Sequence, residues 1–145
     1  MTFRIVIDSR EQKPFAFPCP SIVRALRAGD YSVDGFQSRV AVERKSLADF
    51  AKSAIHDRER FGRELELLEG FQAACVAVEG DLDRTLRGEA SEIRGVSGAS
   101  LLGAAVDIGL RYGVPVHWCG SRQAACAFTE RFLRQFVVLH PEVTP

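Results

Sequence analysis

Apolar and polar positions along the chain follow two rhythms, one of period two and one of helical spacing, and together they predict the elements in order. "FRIVID" (3–8) is a short β-rich run ending in polar residues, the pattern of a buried first strand. "SREQKPFAFPCP" carries three prolines and predicts a loop. In "SIVRALRAG", Ser21 offers an N-cap, residues 22, 23 and 26 are apolar and Gly29 is a stop, which predicts a short helix. "DYSV" and "SRVAVERK" predict two antiparallel strands joined through "DGFQ". "SLADFAKSAIHDRERFGRELELLEG" opens on a capping signal and ends at Gly70, predicting a helix with a break near His56-Asp57. "AACVAVEG" is a further buried strand, and residues 81–97 are polar and predict a loop with one helical turn. "ASLLGAAVDIGLRYG" predicts a helix, "VPVHWC" a strand and 121–139 a closing helix. The order β-α-β-β-α-β-α-β-α implies an α/β domain, a mixed sheet flanked by helices on both faces, with no linker or repeat dividing 1–145.

Composition narrows this only a little. A chain of 145 residues, 46% hydrophobic and 26% charged, suits one globular core. Its apolar runs are too short for a membrane span, and "MTFRIVIDSR" lacks the apolar core of a signal peptide, so the expectation is a cytoplasmic protein. Cys19, Cys75, Cys119 and Cys126 form no CxxC pair and have no histidine at zinc-ligand spacing, and read as reduced packing residues. The formal net charge of zero argues against a DNA-coating protein. It does not exclude a metal-dependent nuclease, whose site spends carboxylates on its cations.

The chemistry concentrates in "GDYSVDGFQSRVAVERKSLADF" (29–50). Along a strand Glu43 and Lys45 point to one face and Arg44 to the other. A carboxylate and an ammonium two residues apart make a unit able to hold a divalent cation and orient a water or a phosphate. Mg²⁺ takes oxygen ligands at about 2.0–2.1 Å, so a second acid is needed, and Asp30 on the preceding strand is the donor at hand. If Asp30 lies opposite Glu43, paired positions sum to 73 and the hairpin has a long loop; a tight Asp34-Gly35 turn gives a sum of 69 and sets Asp30 against Arg39. Taken singly, each piece also has a plainer reading. Glu-x-Lys is commonly a solvated surface pair, Ser46 and Asp49 a capping box, and "DSRE" a polar turn.

As an ordered set, "IDSRE", Gly29-Asp30, Glu43-Arg44-Lys45 and Asp49 resemble the XPF-type nuclease family, structure-specific DNA endonucleases with GD, a spacer, then ERKxxxD. The resemblance is strongest over residues 3–80. It implies a restriction-endonuclease-like fold and hydrolysis of a DNA phosphodiester with Mg²⁺ or Mn²⁺. It makes Asp30 and Glu43 the metal ligands, with the Arg44 carbonyl as a third, and Lys45 the catalytic lysine. Arg44 and Asp49 become bracing residues, while Asp8 and Glu11 match the upstream acids that ligate metal or orient water. Arg10, Lys13 and Arg58 are the candidate DNA contacts, and the family's Gly-Arg pair is Asp57-Arg58 here. The chain leaves no room for helix-hairpin-helix or helicase modules, so the expectation is a stand-alone bacterial or phage-like nuclease that works with a helicase or DNA-targeting partner in trans. The alternative is a catalytically inactive DNA-binding or dimerisation module of the same fold. In the closing helix Phe128, Phe132, Phe136 and Leu139 form an apolar stripe, widened by Leu133 and Val137. It reads either as one helix face packed on the sheet or as a homodimer interface.

Overall fold

The computed structural model describes residues 2–90, 93 and 95–141. The apolar runs become β1 (Ile5–Asp8), β3 (Tyr31–Val33), β4 (Val40–Ser46), β5 (Ala73–Glu79) and β6 (Val116–Trp118), and β2 (Ser21–Arg24) adds an edge. Among the described residues they form one six-stranded mixed sheet in the order β2-β1-β3-β4-β5-β6. The β1–β2, β4–β5 and β5–β6 pairs are parallel; β3 runs antiparallel to both β1 and β4.

Two layers of helix cover it. On one face α1 (Leu47–Ala51), α2 (Arg58–Glu69) and α4 (Gly98–Tyr112) set Phe50, Phe61, Leu65, Leu101 and Ile108 against Ala41, Val76 and Val78. On the other, α5 (Arg122–Leu139) buries Ala125, Leu133 and Phe136 over Ile5, Val33, Val42 and Cys75. The short α3 (Leu82–Leu86) is the helical turn expected within 81–97, of which residues 91, 92 and 94 lie outside the described residues. Sheet packing accounts for most of the α5 stripe. Leu133 and Phe136 are core, Phe128, Phe132 and Val137 are half-buried, and only the last turn, with Val138 and Leu139, is largely exposed. All four cysteines are free thiols. No helix among the described residues is long and apolar enough to cross a membrane.

One element departs from its pattern. "SIVRALRAG" forms no helix; Ser21–Arg24 pairs with β1 as an edge strand. Ladder bonds to a strand about sixteen residues upstream outweigh the local capping signal, and the largely exposed edge carries no alternation to reveal it. The rest of the segment is then held by Asp8, whose Oδ1 accepts the Leu26 N–H at 2.8 Å while Leu26 itself enters the core. The predicted helix 46–70 does break where expected. After α1 comes a π-helical turn, Lys52–His56, closed by Asp57 N–H to the Lys52 carbonyl at 2.9 Å, and α2 starts at Arg58.

Candidate active site

Registers carry three acids into one row across the sheet. Ile7 pairs with Tyr31 and Tyr31 with Val42. One step further along each strand, Asp8 donates its N–H to the Asp30 carbonyl at 2.8 Å and Asp30 donates to the Val42 carbonyl at 2.8 Å. Asp30 therefore faces Glu43, and Glu43 in turn pairs with Val76 of β5. The sum of 73 is met by a long connection in which Asp34-Gly35 is present but is not the tip: Phe36 and Arg39 make the closing bonds to Val33 and Phe36. Since Ile7, Tyr31 and Val42 face α5, Asp8, Asp30 and Glu43 face the other layer, on strands spaced about 4.8 Å apart.

Gly29 makes this approach possible. Its φ is +79°, and a Cβ there would lie 2.9 Å from Ala41 Cβ and 3.3 Å from the Val42 carbonyl oxygen. Any other residue would push β3 off β4 at the step where Asp30 must meet Glu43. Asp30 is fixed further by the Arg44 N–H, which donates to its Oδ2 at 2.8 Å.

The charges on β4 divide as alternation requires. Glu43 and Lys45 lie on the α1/α2 side, where Lys45 Nζ is 3.6 Å from Glu43 Oε2, donates to Ser53 Oγ at 3.0 Å, and stands 4.9 Å from the centroid of the Phe61 ring. Arg44 projects to the α5 side. Its guanidinium donates twice to Glu11, Nε at 2.8 Å and Nη2 at 2.9 Å, and its Nη1 lies 3.4 Å from both Glu79 oxygens. Glu79 also takes Arg122 Nη1 at 3.0 Å, and Tyr31 O–H donates to Glu11 Oε2 at 3.0 Å.

The remaining predicted residues are dispersed. Both Asp8 oxygens are occupied: Oδ2 by Arg10 Nε at 3.0 Å, Oδ1 by Leu26 N–H at 2.8 Å and Arg10 Nη2 at 3.3 Å. Arg10 thus lies beside the acid row, bonded also to the Leu26 carbonyl at 2.6 Å. Lys13 sits on the outer loop, its carbonyl held by Arg122 at 2.8 Å. Ser46 caps α1 by accepting the Asp49 N–H at 3.1 Å, and Asp49 is exposed. Asp49 shares a hollow of about 160 Å³ with Lys45, Lys52, Ser53, Asp57, Arg60, Phe61 and Glu64. Arg58 is not in that hollow; it lines a separate cleft of about 770 Å³ between α2 and α4, with Asp107 and Arg111. Ser53, Phe61 and Glu64 are the site residues that sequence reasoning missed. Nothing in a helical pattern distinguishes them, and only the break after His56 hinted that the chain returns toward the sheet there.

Burial sets the protonation of the acids. Burial, and next the charge of Glu11, push the Asp30 carboxyl up to about 6, against the pull of the Arg44 N–H. Burial and the nearby Asp30 raise Glu43 well above the usual carboxylate range, with Lys45 opposing. Glu11 behaves differently: burial lifts it, but the bonds from Arg44 outweigh that and leave it below its ordinary value. Two half-buried acids that cannot both ionise comfortably are a site short of positive charge. Their unspent oxygens suit a hard divalent cation. Asp8 does not add a third ligand as it stands, and among the described residues no group of three acids, histidines or cysteines is arranged to hold a metal ion.

Fold and acid row together define a class, the nuclease-type domain with its GD and ERKxxxD residues at the edge where β3 meets β4. The chain belongs to the ERCC4 domain family, whose model matches residues 7–132. Among solved structures it is similar to XPF from Aeropyrum pernix, with TM-score 0.71 and 25% identity over 91% of this chain and 60% of that one. It is also similar to XPF from Aeropyrum pernix in complex with DNA, with TM-score 0.68 and 24% identity over 98% of this chain and 68% of that one. The chain thus spans about 60% of the length of the first of these proteins. A comparison with curated protein sequences finds no match.

Proposed function

We propose that the protein is a metal-dependent DNA endonuclease that hydrolyses phosphodiester bonds, serving DNA repair, recombination or phage DNA processing. The observation that carries this reading is the half-buried pair Asp30 and Glu43, opposed across β3 and β4 with Lys45 beside them on the same face. Asp30, Glu43 and the Arg44 carbonyl would hold Mg²⁺ or Mn²⁺. When bound, such a cation supplies a Lewis acid and compensates charge developing on the phosphoryl oxygens.

The chain's own residues supply the rest. The Lys45 ammonium has three N–H donors, of which one goes to Ser53; the others can meet a phosphate oxygen or steady the attacking water. The Arg44 side chain, tied to Glu11, stiffens the strand so that its N–H keeps Asp30 aimed at the site. Support for DNA as substrate comes from family membership and from the likeness to an XPF solved with DNA.

A second reading, an inactive DNA-binding module, draws on the engagement of Asp8 by Arg10 and Leu26, which leaves only two acids open. The experiment that separates the two uses labelled duplex, single-stranded, flap and splayed DNA, with EDTA, Mg²⁺ or Mn²⁺. Cleavage that needs the cation and is lost in Asp30→Asn and Glu43→Gln, with unchanged circular dichroism, is the expected result. Binding without cleavage under every condition would favour the module.

A further inference from the structure

We propose that Ser53 is a positioning residue for Lys45, and that the π turn exists to build a two-sided holder for that ammonium. The inference deepens the nuclease reading and rests on it for the role of Lys45.

The geometry is unusual for one helix. Ser53 Oγ is 3.0 Å from Lys45 Nζ and the Phe61 ring centroid is 4.9 Å from the same atom. Ser53 and Phe61 are eight residues apart, and in a straight α-helix that separation is a rise of about 12 Å. In a straight helix one ammonium would meet both only at the limit of their reach. The chain instead widens into the π turn Lys52–His56 and breaks at Asp57 (φ −112°, ψ 43°); α2 then returns with Phe61 N–H bonded to the Asp57 carbonyl at 3.0 Å. π turns are rare and concentrate at functional sites. Here the bend sets a hydroxyl on one side of Lys45 and an aromatic face on another, with Glu43 at 3.6 Å as the third contact.

A simpler role would be satisfaction of a nearly buried ammonium, its side chain being only 15% exposed. The two roles differ in what they predict. A merely satisfying hydroxyl can be replaced with some loss of stability and no change in rate. A positioning hydroxyl fixes the direction of the two N–H bonds that remain, so losing it strikes turnover while leaving substrate affinity alone. Ser53 also lines both the hollow at Lys45 and the cleft beside α4, so threonine has space for its methyl group.

The test compares wild type, Ser53→Ala, Ser53→Thr, Lys45→Met and the Ser53→Ala/Lys45→Met double variant on the DNA set above. Expected are a fall in kcat of about 10- to 100-fold for Ser53→Ala with KM within about twofold, recovery by Ser53→Thr, and no further loss from Ser53→Ala once Lys45 is gone. A second readout does not depend on activity. The chain has only three lysines (Lys13, Lys45, Lys52), so the Lys45 ε-methylene is readily assigned in lysine-labelled protein. Its NMR order parameter should drop in Ser53→Ala and return in Ser53→Thr. Wild-type kcat in Ser53→Ala, a threonine variant as impaired as alanine, or an unchanged order parameter would each overturn the positioning role. If wild type cuts none of the substrates, the nuclease reading fails and the NMR comparison alone decides whether Ser53 holds Lys45.

Discussion

Asp30 and Glu43 face each other because Gly29 lets β3 approach β4, and the consequence is a pair of half-buried carboxyls that hold protons at unusually high pH. For Asp30 the carboxyl moves from 3.8 up to about 6 on folding, so the native state binds more protons than the unfolded chain between those values. Stability of the cation-free protein is then greatest below about pH 4 for this group and falls as pH rises through about 6. The size is on the order of 3 kcal/mol for such a shift. Urea unfolding in EDTA should therefore give a smaller unfolding free energy at pH 7 than at pH 5, and Asp30→Asn should flatten that slope and be more stable than wild type at pH 7. An equally steep slope in the variant would mean that other groups cause it. Added Mg²⁺ or Mn²⁺ should stabilise wild type more at pH 7 than at pH 5, since cation and protons compete for the same oxygens. These residues were legible in the sequence because their identity and order are specific. Ser53, Phe61 and Glu64 were not: each is an ordinary helix residue until a bend turns it toward Lys45.

Among the elements, the strands of the core and the three longer helices follow their periodicity, while the edge strand β2 escapes it for want of an alternating buried face. The same limit hides a network that joins four elements. Glu11 after β1, Arg44 on β4, Glu79 at the end of β5 and Arg122 at the start of α5 form one chain of ion pairs under the acid row, and Arg122 also donates to the Lys13 and Pro14 carbonyls at 2.8 and 3.0 Å. Sequence assigned Glu11 and Arg44 to the site; their mutual pairing depends on which face each reaches, and for Glu11 that is set by a loop. The Arg44 and Glu11 side chains are only 10% and 5% exposed. Removing one partner of a buried pair leaves an uncompensated charge, which costs about 3–5 kcal/mol. Glu11→Ala should therefore destabilise strongly in urea, by about 3 kcal/mol since Glu79 remains near Arg44, and Glu11→Ala/Arg44→Met should recover part of the loss. Additive losses in the double variant would show that the pair itself contributes little.

At the scale of the whole molecule the net charge is zero, so on the proposed function any attraction to DNA must come from where the charges sit. Lys52 and Arg60 share the hollow with Lys45, and among the described residues neither forms an ion pair or a side-chain hydrogen bond. Arg58 lies in the other cleft, where Asp107 already engages Arg111 through bonds of 3.2 Å. A strand whose phosphate enters beside Lys45 passes the first two cations and not the third. Asp49, Asp57 and Glu64 line the same hollow and oppose the attraction, so binding should be weak and strongly salt-dependent. Each phosphate contact adds about 0.9 to the slope of log K against log salt for duplex DNA. A fluorescence titration across salt should then show Lys52→Ala and Arg60→Ala weakening affinity and each lowering the slope by about one. Arg58→Ala should leave both unchanged, in contrast to the DNA contact its place in the sequence suggests. A loss of slope in Arg58→Ala, with the other two variants silent, would move the DNA path to the cleft between α2 and α4.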